Sequence, residues 1–176
     1  MNKKKRKHKP IEIIHNVLFC GTGGQGVLTA AEICALAAMN SGYHVKKSEV
    51  HGMAQRGGSV ESHIRFGGRI FSPLIRPSQA DYIVCFHEGE GKRLNYYLKK
   101  GGLSFLTFIN DAHFQPADKR FFNTYYLGIL SAFLPMTEDA WRVALTRQLK
   151  RALEENEQAF GAGRKAGLIA KEKRDE

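Results

Sequence analysis

The first clear pattern in the chain is a short, nearly continuous apolar run at residues 13–20, as expected of a strand buried on both faces. Gly21 to Gly26 interrupt it. Val27, Leu28, Ala31, Ala35 and Ala38 then recur near helical spacing until Asn40, Ser41 and Gly42 supply a stop. Residues 43–50 read as a second strand, with Lys46, Lys47 and Glu49 leaving it partly exposed. Strand, turn, helix and strand in this order make a βαβ unit, which closes right-handed onto a parallel sheet. Beyond it, Val60, Ser62, Ile64 and Phe66 alternate with Glu61, His63 and Arg65 at period two. Gly67-Gly68 is a two-residue hairpin signal, so residues 69–75 are expected as an antiparallel partner strand.

The second half is patterned less regularly. Residues 81–86 predict another buried strand, residues 91–100 a short helix closed by Gly101-Gly102, and residues 103–109 a further strand. From Asn123 the period is helical again, with Tyr126, Leu127, Leu130 and Phe133 on one face and Pro135 ending the segment. Thr137, followed by Glu138 and Asp139, opens a final helix to about Phe160. The expected fold is a three-layer, Rossmann-like α/β domain. Its sheet is mostly parallel with an antiparallel ribbon. Residues 1–10 read as a disordered basic tail, residues 11–163 as the domain, and residues 164–176 as a charged, fraying C-terminal tail.

Composition narrows the class. A hydrophobic share of 43% and a charged share of 25% in 176 residues suit one domain with an ordinary core. The net charge of +10 is concentrated: Lys3, Lys4, Lys5, Arg6, Lys7 and Lys9 carry most of it, and the remaining body is only mildly basic. That argues against nucleic-acid binding through a structured face and leaves the tail as a solvated extension, or as an arm for nucleic acid or an acidic partner. No apolar run approaches the roughly 20 residues of a membrane span, and no secretory signal fits. Cys20, Cys34 and Cys85 lie far apart with no Cys-x-x-Cys pair, so neither a disulfide framework nor a metal or cluster site made by this chain alone is expected. A reducing, cytoplasmic setting follows as the expectation.

Two motifs carry candidate chemistry. Gly21, Gly23, Gly24, Gln25 and Gly26 follow a strand and open a helix, where unpaired backbone amides and the helix dipole favour an anion such as phosphate. Glu49 stands near the place of a ribose-binding acid, with pairing to an arginine as the alternative. The P-loop pattern fails, because no Lys-Ser/Thr closes the turn. The second motif is the loop carrying Glu49, His51, Gly52, Gln55, Arg56, Gly57 and Gly58, whose carboxylate, imidazole, amide and guanidinium sit at the carboxyl end of a strand. Site construction and partner docking both explain such a loop.

The stretches GTGGQGVLTAAEI and KKSEVHGMAQRGGSVESHIRFG, with the closing pattern of residues 123–163, resemble the gamma-type domain of 2-oxoacid:ferredoxin oxidoreductases, and within it the indolepyruvate branch. The resemblance covers about residues 14–163. It implies oxidative decarboxylation of an aryl pyruvate to an acyl-CoA, with CoA as co-substrate and electrons passed to ferredoxin. It also implies that thiamine diphosphate, magnesium and iron–sulfur clusters sit in a larger partner subunit and none is bound by this chain alone. It supplies no catalytic residue. The family usually carries another helix and strand where this chain has only residues 111–122, too short for both, which implies either a sheet shortened at one edge or a degenerate paralogue with altered activity. A stand-alone Rossmann-type enzyme and a scaffold module with a basic arm are the rival readings.

Overall fold

The computed structural model describes residues 13–52 and 57–175, so the basic decapeptide lies outside the described residues. The leading apolar run forms β1 (His15–Thr22), and the alanine-rich stretch after the glycine turn forms α1 (Val27–Asn40). β2 (His44–His51) and β3 (Ser59–Gly67) follow, then β4 (Ala80–Cys85), α2 (Glu88–Leu94) and β5 (Leu98–Ser104). A single helical turn, α3 (Leu106–Ile109), precedes α4 (Phe122–Ser131), α5 (Glu138–Gln148) and α6 (Leu153–Asp175).

The five strands lie in the order β2-β3-β1-β4-β5. β1, β4 and β5 pair in parallel, while β3 runs antiparallel to both β1 and β2. The α/β class and the antiparallel ribbon are therefore as expected, but the ribbon is built differently. β3 sits between β1 and β2, splitting the βαβ unit and using both of its hydrogen-bonding edges. No edge is left for residues 69–75, and the hairpin expected after Gly67-Gly68 does not form. Pro73 also withholds a ladder donor there. The segment is pinned instead by Ile70 and Ile75, both buried, and by the Ile75 N–H donating to His63 Nδ1 at 3.2 Å.

Two further boundaries moved. The helix expected over residues 91–100 ends at Leu94, and Gly101-Gly102 lie inside β5, which begins earlier than predicted. A side chain at Gly102 would stand 3.0 Å from Ala80 O and 3.1 Å from Asp81 O, at the register shift between β4 and β5. The glycines thus mark a bulge rather than a helix cap. The last helix breaks in two at Ala152, whose φ is +49°, and residues 161–175 are helical where a fraying end was expected. Their charges have partners: Arg164 donates to Ser131 O at 2.8 Å, Lys171 to Ala132 O at 3.3 Å and Arg174 to Gly102 O at 3.2 Å. The carbonyls that close α4 are satisfied from α6.

By the strand pleat, Val17, Phe19, Ile64, Phe66 and Val84 project from one sheet face, which α1 and α4 cover, with α5 against α1 and α6 against α4. α2 and residues 68–79 cover the other face. Residues 111–122 hold only two short 3-10 turns, capped by Asp111 and Asp118, so the sheet ends at β5. Among the described residues no helix is long and apolar enough to cross a membrane.

Candidate functional site

β1 and β2 end at one rim of the sheet and β3 begins there, with Thr22 opposite Ser59 and His51 opposite Val60. This register brings the two glycine motifs together. The Gly23 N–H donates to Gly58 O at 2.9 Å, and the Gly52 N–H to Ser59 O at 2.8 Å. A side chain at Gly23 would stand 3.4 Å from the Gly57 nitrogen, so the two loops touch backbone to backbone.

The first loop is braced from within. Gln25 Oε1 accepts from the Thr22 N–H at 2.7 Å and its Nε2 donates to Phe86 O at 2.9 Å, tying the turn to the end of β4. A Cβ at Gly21 would lie 2.7 Å from that same Oε1 and 2.9 Å from Val27 Cγ2, so Gly21 makes room for the brace. Gly26 caps α1 at φ +76° and packs on Asn123 of α4. Gly24, at φ +95°, faces open space. Among the described residues no side chain caps α1, and its first turn borders a groove of about 320 Å³ between Thr22, Gly24, Thr29 and Val60. A second groove of about 500 Å³ continues past Gly24 to Phe86, Lys119, Arg120 and Asn123, where Arg120 is already forked onto Asp118.

The residues of the second motif do not all converge. Glu49 lies within β2 opposite Ser62, and its carboxylate is held by Lys47 at 2.8 Å, while Lys47 also pairs with Glu32 of α1. The pairing expected with an arginine is made with a lysine, on the α1 side of the sheet. His51 ends β2, Gly52, Gly57 and Gly58 line the loop contact, and Gln55 and Arg56 lie outside the described residues.

Sequence reasoning missed a clamp beneath this rim. Ser59 Oγ donates to Glu90 Oε2 at 2.6 Å, and Arg93 reaches Ser59 Oγ at 2.6 Å, Glu61 Oε1 at 2.7 Å and Glu90 Oε2 at 2.7 Å. His63 Nε2 stands 3.7 Å from Glu61 on its far side. Facing His63 and Arg93, the Glu61 carboxyl is held below its ordinary range. Burial pushes the Glu90 carboxyl up, but Arg93 and Ser59 outweigh it and hold the group low. The i,i+3 spacing of Glu90 and Arg93 on the helix after a parallel strand was the signal available.

The rim therefore offers oriented amides on a braced frame, with the carboxylates Glu61 and Glu90 both paired to Arg93. Cys20 and Cys85, neighbours across β1 and β4, are buried, and burial pushes the Cys85 thiol up to about 12, so neither serves as a thiolate near neutral pH. Among the described residues no group of three His, Cys, Asp or Glu side chains is placed to hold a metal ion.

Comparisons with known proteins bear on this geometry. A family model for pyruvate ferredoxin/flavodoxin oxidoreductase matches residues 16–118, which contain both glycine loops and the clamp. The indolepyruvate oxidoreductase subunit IorB of Pyrococcus horikoshii is 46% identical over 91 residues, 52% of this chain and 45% of that protein. The chain thus spans about half the length of such relatives. The 2-oxoglutarate synthase subunit KorC of Archaeoglobus fulgidus is 27% identical over 86% of this chain and 87% of its own length. The crystal structure of a keto/oxoacid ferredoxin oxidoreductase gamma subunit from Geobacter sulfurreducens superposes with a TM-score of 0.67 at 24% identity, covering 88% of this chain and 99% of that one.

Proposed function

Since this chain belongs to the pyruvate ferredoxin/flavodoxin oxidoreductase family, we propose that it is the small subunit of a 2-oxoacid:ferredoxin oxidoreductase acting on an aryl pyruvate such as indolepyruvate. The assembly decarboxylates the 2-oxoacid oxidatively to an acyl-CoA and passes the electrons to ferredoxin. The observation that carries this reading is the Gly23 to Gly58 hydrogen bond of 2.9 Å, which fuses the two family motifs into one amide-lined surface at the carboxyl rim of β1. The aryl specificity rests on the 46% match, and the wider 2-oxoacid class rests on the near full-length similarity to KorC.

The rim does not suit a magnesium diphosphate held by this chain. The carboxylates beneath it, Glu61 and Glu90, already hold Arg93, and the loops contribute backbone amides instead. In this reading thiamine diphosphate, magnesium and the iron–sulfur clusters belong to a larger partner subunit in the cytoplasm, and CoA is the co-substrate. This chain's part is to shape one wall of the shared site: Gln25 and the Ser59–Glu90–Arg93 clamp fix the loops, and the amides at the start of α1 face the anionic groups of substrate or CoA. The rival dinucleotide reading loses its ribose acid, because Glu49 is engaged by Lys47.

The test is reconstitution with the larger thiamine-diphosphate subunit. Ferredoxin reduction driven by indolepyruvate is expected only with both chains present. Gly23→Val, which forces the loops apart, is expected to lower kcat at least about tenfold while the chains still associate. Turnover by the small chain alone with added thiamine diphosphate defeats the proposal, as does an unchanged kcat in the variant complex.

A further inference from the structure

The opposite rim of the sheet, where β3 ends at Gly67 and β1 begins, holds a different surface. Residues 68–79 and the start of β1 enclose a groove of about 480 Å³ lined by Ile14, Arg65, Arg69, Phe71, Leu74 and Arg76. Four arginines elsewhere hold carboxylates, Arg93 on Glu61 and Glu90, Arg120 on Asp118, Arg142 on Asp139 and Arg164 on Glu138, while Arg174 donates to a backbone carbonyl instead. Among the described residues the three groove arginines hold no carboxylate. Arg65 donates to neutral oxygens, Asn16 Oδ1 at 2.8 Å and Ser72 O at 2.9 Å, and Arg69 lies over the Phe71 ring at 4.9 Å. The nearby acid, Asp81, is already taken by Lys99 and by the Asn16 N–H.

Apolar exposure coincides with this charge. Phe71 is 78% exposed and Leu74 49%, on a segment braced by buried Ile70 and Ile75. Large apolar groups beside unpaired guanidiniums are costly to leave in water and match the composition of interface centres. A braced segment also loses little conformational freedom when it binds.

We infer that this groove docks an acidic segment of a partner protein, with carboxylates on Arg69 and Arg76 and one apolar side chain against Phe71 and Leu74. Among the described residues the positive charge has no carboxylate counterpart, and the occupant supplies the negative charge. A nucleic acid fits less well, because one face of the Phe71 ring is already covered by Arg69 and the other apolar groups are aliphatic, leaving a stacking surface for a single base at most. The inference is independent of the oxidoreductase reading, since the groove lies at the far rim from the glycine loops.

The test uses the full chain and three labelled probes: a short peptide of alternating Glu and Leu, a thymidine oligonucleotide of equal charge, and phosphatidylglycerol vesicles. The peptide is expected to bind most tightly. Arg69→Glu and Arg76→Glu are each expected to weaken it about tenfold and Phe71→Ala about fivefold, while Arg151→Glu, an exposed reversal elsewhere, changes it less than about twofold. Equal loss with Arg151→Glu overturns the inference, because the binding is then general charge attraction. Tighter binding of the oligonucleotide or vesicles with the same Arg69 dependence overturns the choice of occupant. Peptide binding that survives both groove reversals but vanishes on deleting residues 1–10 assigns it to the basic tail and overturns the inference too.

Discussion

Glycine does different work at the rim of β1 and at the crossing of α4 with α6. At the rim it lets the backbone turn and lets two loops meet, with Gly23 donating to Gly58 and Gly26 at φ +76°. At the crossing it removes a side chain so that two helices touch. A Cβ at Gly128 would strike Phe160 O, one at Gly163 would strike Tyr125 O, and one at Gly167 would stand 2.5 Å from Ile129 O. The rim shapes a surface, and the crossing holds the fold together. Substitutions at the two places therefore differ in size and in what they damage.

The largest effect is expected at the crossing. Gly163→Ala places a methyl on a backbone oxygen that cannot move without parting the helices, and parting them breaks the buried Thr124 Oγ1 to Asn156 Oδ1 bond of 2.6 Å. A loss of about 3 kcal/mol is expected from urea unfolding. Gly161→Ala, two positions away on the same helix with nothing within 4 Å, is expected to gain up to about 1 kcal/mol through helix propensity. If both substitutions behave alike, close packing is not what these glycines supply.

Intermediate effects separate two requirements at the rim. Gly24 and Gly26 both have positive φ, but only Gly26 meets another side chain, Asn123, whose Cγ would lie 3.0 Å from an added Cβ. Gly24→Ala is expected to cost about 1 kcal/mol from backbone strain alone, and Gly26→Ala about 2 kcal/mol. Adding Asn123→Ala to Gly26→Ala is expected to return the cost to that of Gly24→Ala. Thermal unfolding of the four proteins checks this, and no rescue by Asn123→Ala removes the clash as the cause.

The rim was more legible in the sequence than the crossing. β1, the glycine turn and α1 are local features with strong signals, so their order and nearly their limits could be read off. The place of β3 could not, because insertion between β1 and β2 is a choice among long-range pairings that period-two alternation does not encode. Residues 161–175 misled for a similar reason. Their charges suggested solvent, yet Arg164 and Lys171 act on carbonyls of the α4 end, a contact between segments far apart in the chain. At the site, both glycine motifs were visible, but Glu49 turned to Lys47, and the clamp of Glu90 and Arg93 emerged only once α2 was laid beside β3.

The smallest effect tests whether that clamp belongs to the rim alone. Glu61 faces His63 and Arg93 and is held below the ordinary glutamate range in the folded chain. A carboxyl lowered by folding contributes stability that is full above its unfolded value, about 4.5, and is lost as pH falls through the lower folded value. Glu61→Gln is therefore expected to cost about 1 kcal/mol at pH 7 and to narrow its deficit below about pH 4.5, where the wild-type carboxylate takes up its proton. Part of the acid limb persists in the variant, because Glu90 shares Arg93 and is lowered by the same guanidinium. Urea unfolding across pH 3 to 7 measures this. Wild-type and variant curves that stay parallel through the acid range leave the Glu61 carboxylate without a role in the clamp. A narrowing deficit, with the Gly163→Ala penalty unchanged at both ends of the range, sets the rim apart as an electrostatic unit from the crossing, whose glycine contacts and Thr124–Asn156 bond involve no carboxyl group.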